Sequence, residues 1–215
     1  MIDRFLKAKH WQLFLLTFGI PLIFQFIMMG ALFANIGANN NPEPDFMFSY
    51  MKFFPIMMFL FMGVFFGWFW SVGIGLQRVI PDEIKLKVDR FKIFLLIPIV
   101  YMIFFLGFFI TSFTSGTPNP GIFAVIVPLH LFSMFCIFYS LYFVTKTFKT
   151  AELQRKVTFS DFAGEFFMIW IQLGIWIVQP KINKMIKEKA HTVNNGKENM
   201  KLNVRNATLV LRCIF

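Results

Sequence analysis

Residues Phe53 to Leu76 read FFPIMMFLFMGVFFGWFWSVGIGL and contain no Asp, Glu, Lys or Arg. A helix needs about 20 apolar residues to cross about 30 Å of hydrocarbon, so this run is long enough to span a bilayer. Three more uncharged runs of membrane length occupy residues 11–36, 93–113 and 122–144. The sequence therefore predicts an all-α, polytopic membrane helix bundle with four transmembrane helices.

The composition of the whole chain agrees with this prediction. Hydrophobic residues make up 57% of it and charged residues only 15%, whereas a soluble domain carries about 25% charge. Once these four runs and a fifth apolar run, Phe162 to Gln179, are set aside, no remaining stretch exceeds about 40 residues, which is too short for a domain that usually folds unaided. The sequence therefore excludes a conventional soluble enzyme. Cys136 and Cys213 have no CxxC pair or ligand-spaced His, so we predict no metal and no other cofactor.

Basic residues predict the orientation of the bundle. The net charge is +10, and 20 of the 21 Lys and Arg side chains fall on one side if the fifth apolar run, Phe162 to Gln179, does not cross the membrane. Only Lys52 then lies on the other side. A crossing fifth run would change the split to 12 against 9, which the positive-inside tendency disfavours. We expect an inner-membrane protein with both termini in the cytoplasm.

The fifth run carries polar residues at seven-residue spacing. On a single helix they form one polar stripe beside a very apolar surface. Thr158 predicts the start of this helix and Pro180 its end. An interfacial or re-entrant helix fits this pattern, and a fifth span that packs its stripe against the bundle is the alternative. The stripe consists of Asp161, Glu165, Gln172 and Gln179.

After Pro180 the chain becomes basic. Residues 181–191 have the pattern of an amphipathic helix whose lysines would contact anionic lipid headgroups. Residues 194–196, Asn-Asn-Gly, predict a turn, and residues 202–215 predict a short β-prone segment. The predicted organisation is a bundle (1–161), the interfacial and basic helices (162–191) and a cytoplasmic tail (192–215). The lipid-contacting residues are Lys181, Lys184, Lys187 and Lys189.

Small residues in the second run predict a helix-packing seam. Four of them follow at four-residue spacing among large aromatics, which lets another helix approach closely. The neighbour is either a helix of the same chain, a second copy in a homo-oligomer, or a membrane or cytoplasmic protein partner. The seam residues are Gly63, Gly67, Ser71 and Gly75.

The runs also contain a few polar side chains at membrane depth. An ionisable residue there is a functional-site hypothesis by default, and His130 is such a residue. No carboxylate or Lys occurs in the four runs to serve as its partner, so the alternative is a neutral His130 that is hydrogen-bonded across helices. These intramembrane polar residues are Gln25, His130, Ser133, Cys136 and Ser140.

Two further predictions concern Glu165 and the aromatic residues. Glu165 is either part of a solvated stripe, the partner of Arg155 or Lys156, or an acid or base toward a lipid substrate. Trp68 and the other aromatic residues near the predicted inner boundary are expected to form an interfacial belt.

One segment resembles a known group of proteins. Residues 164–170 (GEFFMIW), 174–176 (GIW) and 179–183 (QPKIN) are similar to the closing segment of small uncharacterised integral membrane proteins of Bacteroidetes-type bacteria. The resemblance covers about 20 residues and implies a bacterial inner membrane, with Glu165 to Asn183 as a family module. It implies no activity.

The functional expectation is a non-enzymatic membrane accessory, scaffold or regulatory subunit with a basic cytoplasmic face. A small oligomeric channel or transporter is one alternative, and a membrane enzyme acting on lipid is another. The tail lacks interleaved aromatic residues for base stacking, which disfavours a nucleic-acid partner.

Overall fold

The computed structural model describes the backbone of residues 2–39, 54–115, 120–171 and 173–214. Within these ranges every regular element is a helix and no strand occurs. A short helix α1 (Ile2–Lys7) precedes α2, which consists of His10–Phe14, a π-helical turn Leu15–Gly19 and Ile20–Asn39. The remaining helices are α3 (Phe54–Gly75), α4 (Asp89–Ser115), α5 (Phe123–Leu153), α6 (Phe159–Trp170) and α7 (Gly174–Ile214).

Four helices are long and apolar enough to cross a membrane, which confirms the predicted all-α membrane helix bundle. They cover almost all of the described residues of the four uncharged runs, and several continue into charged sequence. Helix α5, for example, runs past Val144 to Leu153 and ends where Gln154 adopts a left-handed conformation (φ 52°). Charged residues continue a helix readily where it leaves the hydrocarbon, so the apolar run gives the span and not the helix end.

Contacts between the helices bring the basic segments of the chain to one end of the bundle. The ring of Phe91 at the start of α4 stacks on Phe143 of α5, with 4.5 Å between their centroids. Near the start of α2, His10 meets Trp176 of α7 edge-on at 4.7 Å. Lys181 of α7 forms an ion pair with Glu152 of α5 at 2.8 Å. We call this the basic end, and it contains residues 2–10, 76–92, 143–166 and 175–189.

Helix α1 lies against the same end of α3. A methyl group added at Gly75 would lie 2.5 Å from Cδ1 of Leu6 and 2.8 Å from Cγ2 of Ile2. The absence of a side chain at Gly75 therefore permits this close approach. Leu6 is buried at 2% exposure as a result.

Helices α6 and α7 form a hairpin that enters and leaves at the basic end. Phe162 at the start of α6 lies beside Tyr142 of α5, and Trp170 at its end stacks on Phe138 at 4.3 Å. Phe138 lies about 12 Å along α5 from Lys146, toward the middle of the bundle. Helix α7 then returns, so that Lys181 is again beside the end of α5. The fifth apolar run therefore lies in a helical hairpin that packs back along α5.

Four details predicted for the C-terminal region are wrong. The fifth run is not one helix, because it breaks between Trp170 and Gly174. Pro180 does not end a helix, and α7 continues through it because Val178, Gln179 and Ile182 on either side are fixed by burial. The predicted turn at 194–196 and β-prone segment at 202–215 are wrong as well. Residues 194–196 and 202–214 belong to α7, where good helix formers such as Lys197 and Glu198 surround the Asn and Gly residues, and the described residues include no strand with which this segment could pair. Phe215 lies outside the described residues.

Candidate functional site

The side-chain amide of Gln179 joins three helices at the basic end. Its oxygen accepts a 2.8 Å hydrogen bond from Nε1 of Trp68 on α3. Its nitrogen donates to the carbonyl oxygens of Phe5 (2.9 Å), in the last turn of α1, and of Ala8 (3.2 Å), just after the end of that helix. Asn183, one turn later, donates to the same Ala8 carbonyl at 3.1 Å. Gln179 is completely buried, so α7 closes the end of α1 and holds it on α3.

A chain of alternating charges connects α5 to both arms of the hairpin. Lys149 contacts Glu165 of α6 at 2.7 Å and Glu152 of its own helix at 2.9 Å. Glu152 in turn contacts Lys181 of α7 at 2.8 Å. The side chains of Lys149, Glu165 and Glu152 are 16%, 19% and 24% exposed, so these charges are partly withdrawn from water and depend on one another.

The start of α6 is fixed by a capping box and an ion pair. Asp161 Oδ2 accepts from the backbone nitrogen of Thr158 at 2.8 Å and from its hydroxyl at 3.0 Å. Arg155 Nη2 contacts Asp161 Oδ1 at 2.8 Å. The bond from Arg155, followed by the two from Thr158, lowers the pKa of Asp161 to about 2. The carboxylate is therefore ionised at neutral pH and serves as a structural cap.

These contacts separate the residues of the predicted polar stripe. Asp161 and Glu165 lie on α6 and take part in two different ion pairs. Gln172 lies outside the described residues. Gln179 lies on α7 and is buried, which rules out a single solvated stripe. Glu165 pairs with Lys149 instead of Arg155 or Lys156, because α6 folds back along α5 instead of continuing away from the preceding loop.

The four predicted lipid-contacting lysines have different environments. Lys181 is committed to Glu152 and also lies 5.8 Å from the ring centroid of Phe148. Lys184 is 77% exposed and approaches Glu188 at 3.9 Å. Lys187 and Lys189 are exposed. On the opposite side of this stretch, Ile182 is buried and Met185 and Ile186 pack partly against the core, so the predicted amphipathic pattern is present.

The small-residue seam of α3 is used unevenly. Gly67, Ser71 and Gly75 are buried, and Gly75 receives α1. Gly63 is exposed, and a methyl group added there would meet nothing within 4 Å. The three seam residues nearest the basic end are therefore covered within the chain, and the seam is open at Gly63.

The polar residues at membrane depth divide into a buried set and an exposed set. Ser133, Cys136 and Ser140 face into the bundle, and Ser140 donates to the carbonyl of Cys136 at 2.9 Å. His130 lies on the exposed side of α5, where its Nδ1 is 3.0 Å from the hydroxyl oxygen of Tyr101 on α4. Gln25 of α2 is also exposed. His130 therefore has a hydrogen-bonding partner on another helix. This partner is the side chain of Tyr101 and not a charged group.

The roles of three residues could not be predicted from the sequence. Trp68, predicted as a belt residue, is fully buried and bonded to Gln179. Lys149 binds Glu165 because α5 packs against α6, and Tyr101 bonds to His130 because α4 packs against α5. Neither packing contact can be read from the sequence. In the described part of the chain no three His, Cys, Asp or Glu residues are grouped to hold a metal ion.

Comparisons of the chain with protein-family models, curated proteins and solved structures found no match. The chain is a membrane-helix protein by its four apolar helices. Its role is inferred from the geometry of the basic end.

Proposed function

We propose that this chain is a non-enzymatic accessory or scaffold subunit of a bacterial inner membrane, with both termini in the cytoplasm. The observation that supports it is helix α7, which is clamped at Gln179 and then continues as an exposed basic helix. Every residue from Lys187 to Thr192 is exposed, and so is every residue from Asn194 to Lys201. An anchored, cationic helix of this kind suits contact with anionic lipid headgroups or with an acidic protein partner.

The contacts of Glu165 and His130, the two residues considered as catalytic groups, favour a structural role for both. Glu165 is held by Lys149 in a network that fastens the hairpin to α5. His130 is bonded to Tyr101 and joins α5 to α4. A general acid or base needs a free approach to its substrate, whereas both groups are used to connect helices.

The lipid contact is tested with the full chain in nanodiscs of phosphatidylcholine, with and without phosphatidylglycerol. Amide hydrogen exchange in residues 187–201 should slow in the anionic nanodiscs, and the difference should disappear at high salt. Replacing Lys187 and Lys189 by Gln should weaken the effect. Lys87→Gln, which removes a charge elsewhere at the basic end, is the matched control. Equal exchange in both nanodiscs would refute the lipid contact.

The proposed orientation is tested by cysteine labelling in intact cells. In a chain without Cys136 and Cys213, cysteines placed at Lys87 and at Lys197 should both react with a membrane-impermeant maleimide only after the inner membrane is opened. Labelling of either position in intact spheroplasts would place the basic end outside and overturn the proposal.

An oligomeric channel or transporter is the second candidate, and one observation favours it. Gln25 and His130 are exposed on the outer surface of helices that would lie in lipid, where polar groups are costly. A second copy packed on these faces would remove both from lipid. Flux through liposomes that His130→Ala abolishes, while Ser140→Ala does not, would support this candidate.

A further inference from the structure

A cavity of about 370 Å³ opens at the basic end between the loop that follows α3 and the junction of α5 with α6. This volume lies within the range of sites for small molecules. On one wall are Glu83, Lys85 and neighbouring residues of the loop, and on the other are Lys146 and Thr150 of α5. Lys156 and Val157, from the segment that leads to α6, complete it. Three separate parts of the chain thus contribute a lysine each to one concave site.

The charges around this cavity leave two lysines without a counter-ion. Lys85 forms an ion pair with Asp82 of its own loop, and its hydrogen bond lowers the pKa of that carboxyl. Lys146 has only the hydroxyl of Tyr142 at 3.4 Å and the face of the same ring, with its nitrogen 5.5 Å from the centroid. Within the described ranges neither Lys146 nor Lys156 is within ion-pair distance of a carboxylate, and Glu83 is the one acidic group of the lining. The lining therefore keeps a net positive charge.

The position of the cavity favours a ligand from the membrane surface. Lys146 is half-buried at the level of Tyr142, where a lysine extends its nitrogen toward the headgroup region, and Lys156 is exposed. Basic pockets at the end of a helix bundle are suited to phosphate-bearing headgroups.

We propose that the cavity lined by Lys85, Lys146 and Lys156 binds a phosphate group. Lys146 and Lys156 approach it from two sides as point charges, and the hydroxyl oxygen of Thr150, which already donates to the carbonyl of Lys146 at 2.8 Å, is left as an acceptor for a headgroup hydroxyl. The phosphate belongs either to an anionic phospholipid or to inorganic phosphate. This assignment rests on the proposed placement of the basic end at a membrane surface, but it uses lysines that α7 does not supply.

The test is native mass spectrometry of the full chain in detergent, titrated with short-chain phosphatidylglycerol, phosphatidylcholine or inorganic phosphate. Phosphatidylglycerol should bind at least tenfold more tightly than phosphatidylcholine. Replacing Lys146 and Lys156 by Gln should abolish that preference. The matched control replaces Lys7 and Lys9 by Gln, two exposed lysines of the basic end that lie outside both the cavity and α7, and should change the affinity by less than twofold. Lys156→Gln alone, at an exposed position, gives a variant that is safe for folding and should lose part of the preference.

The outcomes distinguish lipid phosphate from inorganic phosphate. They also distinguish the proposed phosphate site from the proposed lipid contact of α7. Competition by inorganic phosphate at equal concentration would identify free phosphate as the ligand, and binding of the lipid without such competition would identify the headgroup. Equal losses in the pocket and control variants would show general attraction to the basic end and overturn the pocket. Loss of exchange protection in α7 with intact pocket binding would instead refute the proposed lipid contact of α7 and leave the pocket standing.

Discussion

Trp68 and Gln179 are 111 positions apart in the chain, yet the indole nitrogen of the first donates to the amide oxygen of the second at 2.8 Å in a fully buried contact. This bond ties the second membrane helix to the returning arm of the hairpin. Because the same amide also closes the end of α1, one side chain fixes the relative positions of α1, α3 and α7.

Gln179→Leu should lower the free energy of unfolding by about 1–3 kcal/mol, since it leaves the buried N–H of Trp68 without a partner and removes one donor from each of the carbonyls of Phe5 and Ala8. Thermal unfolding of the full chain in detergent, followed by circular dichroism, measures the loss. Gln25→Leu is the matched control, because that amide is exposed on α2, and it should cause no loss. Equal effects of the two changes would show that the Gln179 contacts do not stabilise the fold.

Gly174→Ala should prevent the hairpin from closing. An added methyl group would lie 2.5 Å from the backbone nitrogen of Ile169 and 2.6 Å from its Cα, and backbone atoms cannot move aside as a side chain does. We expect a cost of about 1–3 kcal/mol in the same unfolding measurement. Gly164→Ala in α6 is the control, because nothing lies within 4 Å of that position. A stable Gly174→Ala protein would contradict the close approach of the turn to Ile169.

Lys149→Met should destabilise the chain by about 1–3 kcal/mol, because it leaves the partly buried Glu165 without its cation and Glu152 with Lys181 alone. Lys184→Met, at a 77% exposed lysine, should have almost no effect. Exchanging the charges, with Lys149→Glu and Glu165→Lys together, should recover part of the loss. If the exposed and the buried lysine cost the same, the network contributes nothing specific.

The Asp161 carboxyl should titrate at about pH 2 in the folded chain, below its ordinary value of 3.8, because Arg155 and Thr158 bind its ionised form. A lowered pKa stabilises the fold fully above about pH 4, and this contribution is lost as the pH falls toward 2. Carbon-13 NMR of labelled aspartate measures the midpoint. Arg155→Gln should move it up toward 3.8, and an unchanged midpoint would show that Arg155 is not the main cause.

The spans could be predicted from the sequence because a single requirement, an uncharged run of sufficient length, decides them. Phe53 to Leu76 corresponds closely to α3 (Phe54–Gly75) for this reason. The hairpin could not be predicted in the same way, because its turn depends on Gly174 lying against the backbone of Ile169, a contact that no periodicity records. Seven-residue spacing placed Glu165 and Gln179 on one helix, and the break between them turned these residues to different neighbours.

The sequence predicted an excess of basic residues at the candidate site, but not which charged residues form ion pairs with one another. The excess of lysine near α7 was visible in the sequence, whereas the partner of each charge depends on which helices meet. Glu152, which attracted no notice in the sequence, lies between Lys149 and Lys181 only because the hairpin returns beside α5. Local propensity failed in the same region, since Pro180 and the Asn-Asn-Gly sequence at 194–196 were both outweighed by the continuous helix around them.

Helix α7 is unbroken from its buried turn to Ile214 and continues about 40 Å beyond Lys187. Such a rod acts as a ruler: a molecule held near its tip is kept at a set stand-off from the bundle. It also acts as a lever, because a sideways load on the tip is transmitted along the rod to the amide of Gln179. A flexible Gly-Ser linker inserted after Lys189 would mechanically uncouple the C-terminal end of α7 from Gln179 and would leave the contacts of the bundle in place.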